Sequence, residues 1–134
     1  MTMLSRAFCN DDLAQVAQHF TYPMPLYIKD ELLVFGSAGA LIEALSAYRA
    51  GARAADIAQI VPRVIASGLP RKGYLTLWVE WDHFDSMGTL MCTSQVRYAI
   101  FQDRMAAHTR IEMVDYTAVA FPEVSDALPL MKSA

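Results

Sequence analysis

The stretch YLTLWVEWDHFDSMGTLMCTSQVRYAIF, residues 74–101, is where the hydrophobic period of this chain has changed from near four to two. Successive side chains of a strand point to opposite faces, so a period of two sorts them into two sets. The segment DSMG, residues 85–88, supplies a turn between two long strands. With Phe84 opposite Thr89, Leu75, Leu77, Val79 and Trp81 share a face with Cys92, Ser94, Val96 and Tyr98. The other face then carries Thr76, Trp78, Glu80 and Asp82 with Thr93, Gln95 and Arg97. One face is nearly all apolar, and the other is aromatic and hydrogen-bonding. A slip of one residue would mix the two sets, so the pattern selects its own register. Neither set is a solvated surface, and we expect both faces to be covered, one by helices and one by a second subunit.

Outward from this hairpin, alternation over 59–67 and 110–118 adds two more strands, with SGLPRKG, 67–73, as a second turn. Upstream the period lengthens. Ser37 is a good N-cap for a helix over 38–55 with an inward stripe of Leu41, Ile42, Leu45 and Tyr48, weakened near its end by Gly51. A first helical region covers 3–20. Asn10 can cap a turn there, Asp11 and Asp12 suit its start, and Leu13, Val16, Ala17 and Phe20 form its buried stripe. Between the helices lies HFTYPMPLYIKDELLVFGS, residues 19–37. Pro23 ends the first helix, because the residue before a proline disfavours the helical region. Two short strands follow around Lys29, Asp30 and Glu31. Helices first and a meandering antiparallel sheet second make an α+β domain, with the helices on one face of a strongly twisted sheet. No repeat or linker divides the 134 residues, so a single domain over 1–134 is expected.

Composition narrows the function classes. The chain is 54% hydrophobic and carries a net charge of -3 without a Lys/Arg cluster, which argues against a nucleic-acid groove or an anionic membrane surface. Arg49 and Arg53, four apart on the long helix, read as a solvated helix face. No apolar run approaches the ~20 residues needed to cross a bilayer, and no secretory signal is visible, so a cytoplasmic location is the default expectation. Cys9 and Cys92 read as isolated buried thiols. His19, His83 and His108 are scattered without metal-ligand spacing, and no glycine-rich phosphate loop is present. Neither a metal nor a nucleotide cofactor is expected.

The segments FCNDDLAQVAQHFTYPMPLYIKDEL, LIEALSAYR, LWVEW and RIEMVDY, in this order, resemble the cone-shaped α+β superfamily of nuclear transport factor two, and most closely its SnoaL-like branch. The resemblance implies a sheet curled around a deep, mostly apolar pocket capped by the helices, with frequent dimers through the outer sheet face. The superfamily includes ketosteroid isomerases, limonene-type epoxide hydrolases, polyketide cyclases, dehydratases and many non-catalytic binding modules, and fold alone does not choose among them. Where the isomerases place a general-base Asp, this chain has Val34 and Phe35, and their oxyanion-side Asp aligns with Arg97. Such chemistry would lack both proton acceptor and donor. The hydrolases use an Asp-Arg-Asp arrangement across two strands. This chain offers Glu80, Asp82, Arg97 and Asp115 in a different order, with Tyr116 and not Asp115 directed into the pocket by that comparison.

The expected function is therefore binding of a small, largely apolar molecule. Tyr22 or Tyr27 would sit at the pocket mouth, and Trp78, Glu80, Arg97 and Tyr116 along the sheet. The alternative is a SnoaL-type cyclase, isomerase, dehydratase or hydrolase with Glu80 or Asp115 as proton acceptor. A further alternative is a structural dimerisation module. For Glu80 and Arg97 the plainer reading is a cross-strand ion pair that holds the sheet. A homodimer is the expected assembly.

Overall fold

The computed structural model describes residues 12–28, 31–103 and 108–118. Helix α1 (Leu13–Ala17) is capped by Asp12, whose side chain accepts from Gln15 N at 3.2 Å. The expected cap at Asn10 lies outside the described residues. Strands β1 (Met24–Ile28) and β2 (Glu31–Phe35) form the short hairpin, and the long helix α2 (Ala38–Ala54) follows. Its N-cap is Ser37, which accepts from Ala40 N at 3.2 Å. Four long strands complete the chain: β3 (Ile57–Ser67), β4 (Tyr74–Asp85), β5 (Leu90–Asp103) and β6 (His108–Ala118). They belong to one six-stranded sheet in the order β2-β1-β6-β5-β4-β3. All pairs are antiparallel except β1 and β6, which run parallel.

The stretch that follows α1 is held directly on β6. Thr21 N donates to Ile111 O at 2.9 Å, and Ile111 N donates to His19 O at 2.7 Å. Leu13, Val16, Ala17 and Phe20 are all buried, as the spacing predicts. In the core, Val16, Ala17 and Phe20 join Leu41 and Ala44 of α2, Met24, Ile28, Leu33 and Phe35 of the short hairpin, and Val79, Val96, Tyr98, Ile100, Ile111 and Val114 of the long strands. All helical contributions lie on one side of the sheet, which is its inner face.

The two faces of the central hairpin hold as expected, although the turn differs. The loop is Ser86-Met87-Gly88, one residue shorter than DSMG, with Gly88 at φ 81 and Asp85 N bonded to Thr89 O. Asp85 Oδ1 also accepts from Met87 N and Thr89 N, each at 2.9 Å. A three-residue loop with glycine in the left-handed region is a standard hairpin closure. A bulge then leaves Met91 unpaired, because His83 faces Cys92 while Phe84 faces Leu90. Each feature moves the register by one residue, so their sum restores the parity of both faces.

Two expectations need correction. Arg49 is buried and only Arg53 is exposed, because Arg49 follows Leu45 by four positions and precedes Ala52 by three on the core side of α2. Glu80 and Arg97 do not pair. Arg97 faces Trp78, and Glu80 faces Gln95.

Candidate functional site

Chemistry-bearing residues divide by strand parity into an outer and an inner group. The outer group follows one row across all six strands: Leu32, Tyr27, Asp115, Arg97, Trp78 and Ala66 are successive partners. Arg97 Nη2 meets Asp115 Oδ2 at 3.1 Å. Two residues along β4, the Arg63 guanidinium bridges Glu80 and Asp82. Thr93 Oγ1 donates to Asp82 Oδ1 at 2.9 Å, and Gln95 Nε2 donates to Glu80 Oε1 at 3.2 Å. The hydrogen bond from Arg63 holds the Asp82 carboxyl below its ordinary range, and the two carboxylates raise Arg63. These carboxylates are engaged as ion-pair partners. The same face exposes apolar surface, with Tyr27 at 40%, Trp78 at 37%, Leu32 at 50% and Val34 at 55%.

The sequence candidates are thus divided. Tyr27, Trp78, Glu80, Arg97 and Asp115 gather on the outer face, away from the helices. Tyr116 points inward beside Val96, and Tyr22 packs against the core with its hydroxyl donating to Ala17 O at 2.8 Å.

The inner group was largely missed from the sequence. Trp81 packs against both core clusters, one of which it shares with Ala52, Ile57 and Ile60 near the end of α2. Its indole donates from Nε1 to Tyr98 Oη at 2.8 Å. Tyr48 of α2 and Tyr116 of β6 lie close enough that the ionised form of either would repel the other. Burial pushes the Tyr116 phenol up to about 12 and raises Tyr48 and Tyr98 as well. These phenols are therefore neutral hydrogen-bond groups at any physiological pH. His83 is buried opposite Cys92, with Nδ1 at 2.9 Å from Trp81 O. Burial lowers its pKa, outweighing the carbonyl contacts that favour the charged form. Burial raises the Cys92 thiol. Alternation puts Trp81, Cys92, Ser94 and Tyr98 on the apolar face, and the polar ends they share there are the signal that the sequence offers.

Among the described residues, no group of three His, Cys, Asp or Glu side chains could hold a metal ion, and no helix is long and apolar enough to cross a membrane. Cys9, the side chain of His108 and the tail from 119 onward lie outside the described residues.

No family model and no curated protein matches the sequence. Solved structures do match the fold. Aln2 from a Streptomyces species is similar at 15% identity over 87% of this chain and 83% of its own, with a TM-score of 0.62. A nuclear transport factor two-like protein with a cystatin-like fold from Novosphingobium aromaticivorans is similar at 11% identity over 96% of this chain and 82% of its own, with a TM-score of 0.64. A Catenulispora acidiphila protein solved in complex with S-DNPA is similar at 10% identity over 86% of each chain, with a TM-score of 0.60. At these identities the likeness concerns architecture. The fold of this chain is the α+β cone of nuclear transport factor two-like and SnoaL-like proteins.

Proposed function

We propose that this chain, as one domain, binds a small, largely apolar molecule between α2 and the inner face of the sheet. Trp81, Tyr98 and Tyr116 are its principal contacts, with Tyr48 and Tyr22 on the helical side. One observation carries the reading. Tyr116 packs against the core from the inner face, yet it is only half-buried. A residue that meets both core and solvent suits the wall of a hollow. Tyr48 and Trp81 share this half-buried state. Apolar walls with a few convergent polar groups suit a small-molecule site. The S-DNPA complex of the Catenulispora protein, on the same fold, is consistent with this use.

Acid–base catalysis through Glu80 or Asp115 gains no support from the geometry. Both carboxylates are ion-paired on the opposite face, one with Arg63 and one with Arg97. That outer face is better suited to a second copy of the chain. Its exposed row of Leu32, Tyr27 and Trp78 is apolar at the rim, and the charges between them are already paired. Native mass spectrometry of protein purified from its own host without denaturation reads both points together. A dimer retaining an added small-molecule mass is the expected result. A bare monomer would count against ligand and assembly alike.

A further inference from the structure

The inner site contains two phenol protons that no described residue accepts. An indole has only its N–H to offer, and Trp81 donates it to Tyr98 Oη. A phenol oxygen that accepts this bond must turn its own O–H elsewhere. Among the described residues nothing receives the Tyr98 proton, and the Tyr116 hydroxyl makes no hydrogen bond. Tyr98 faces Val114 while Val96 faces Tyr116, so the two phenols are diagonal neighbours on one face of β5 and β6. Diagonal positions lie about 7–8 Å apart at the backbone, within bridging reach of one oxygen atom between two long side chains. Asp82, Glu80 and Asp115, the nearby carboxylates, belong to the opposite face. Other polar groups on the inner side include Tyr48, Cys92, Ser94, Arg49, His83 and Tyr22, whose hydroxyl is already given to Ala17 O.

Resting on the inner-site reading above, we propose that Trp81 is a positioning residue that fixes Tyr98 as a hydrogen-bond donor. With Tyr116, it makes the site selective for apolar molecules presenting an oxygen acceptor, such as a ketone carbonyl. A hydrocarbon of the same shape would offer neither phenol proton an acceptor, and a buried donor left unpaired is costly.

The test compares two fluorescent probes on the full chain. One is the ketone 6-propionyl-2-(dimethylamino)naphthalene, whose emission moves to the red when its carbonyl accepts a hydrogen bond. The other is 2-(dimethylamino)naphthalene, which lacks the carbonyl. Wild-type protein should bind the ketone about tenfold more tightly than the parent amine. Tyr98→Phe and Tyr116→Phe should each weaken ketone binding about fivefold and shift its bound emission to the blue. Trp81→Phe should give a blue shift of the same sign although Tyr98 is still present, and the outer-face control Tyr27→Phe should change nothing. Tyr116→Phe removes no hydrogen bond within the described protein, so it keeps the test open if Tyr98→Phe, which strands the indole N–H, folds poorly. Equal affinity for both probes, or ketone emission indifferent to the two phenol variants, would overturn the selectivity while leaving an apolar site standing. Trp81→Phe without a blue shift would overturn the positioning role. Binding of neither probe would overturn the inner-site reading itself.

Discussion

Replacing Val79 by alanine tests the division of the sheet into two faces. Val79 sits on the inner face of β4 between Val64 and Val96, with 0% of its surface exposed. The substitution removes the equivalent of two methylene groups from the core. At about 0.8 kcal/mol each, the lost transfer energy is roughly 1.6 kcal/mol. The flanking strands are fixed by ladder hydrogen bonds on both sides and cannot close the gap, so a cavity contribution adds to this. The total is about 2–3 kcal/mol. Val34→Ala makes the same chemical change on the outer face of β2, where the residue is 55% exposed. There we expect less than about 0.5 kcal/mol. Urea unfolding reads the difference. With a slope of about 2 kcal/mol/M, Val79→Ala should lower the midpoint by about 1 M, and Val34→Ala should barely move it. Equal shifts, or a larger one at Val34, would refute the assignment of the faces.

Other expectations follow from charges and turns. Asp82 has a carboxyl pKa lowered from 3.8 by its Arg63 bond, so it contributes stability above that value and loses it as pH falls through the lower folded value. Asp82→Asn should flatten the acid limb of an unfolding-versus-pH profile below 3.8, and an unchanged limb would contradict the pairing. His83 has a pKa lowered from 6.5 by burial, so the unfolded chain binds its proton more readily and stability should decline as pH falls below 6.5. Its imidazole signals in an NMR titration should have a midpoint below 6.5, and a midpoint at or above that value would count against burial of the neutral ring. Gly88 and Gly73 both have positive φ, at 81 and 86. An added Cβ meets nothing within 4 Å at Gly88 but lies 3.0 Å from Gln102 O and Phe101 Cε2 at Gly73. Gly88→Ala should cost about 1 kcal/mol by thermal unfolding, and Gly73→Ala distinctly more. Comparable costs would mean that the turn leading into β4 relaxes freely.

The architecture was legible because alternation in the long strands is strict. The four strands expected at 59–67, 74–84, 89–101 and 110–118 match β3 to β6 to within a few residues at their ends. Hairpin closure was not legible, since one shorter loop and one bulge at Met91 leave the same parity as a plain four-residue turn. The parallel pairing of β1 with β6 joins residues nearly ninety positions apart, as Leu26 with Val114, and no local signal encodes it. Site residues were harder for a related reason. Trp78, Glu80 and Arg97 draw notice because they are polar or aromatic among strand residues, yet parity puts them outside. Trp81 and Tyr98 look like core by the same alternation, and only the indole-to-phenol bond distinguishes them. Arg49 was misread because its charge outweighed its position on the α2 stripe.

The most direct measurement is a set of intermolecular nuclear Overhauser effects between the bound naphthyl ketone and the aromatic side chains. We expect contacts from Trp81, Tyr98 and Tyr116, and none from Tyr27 or Trp78. Contacts confined to Tyr27 and Trp78 would place the ligand on the outer face and contradict binding inside the cone.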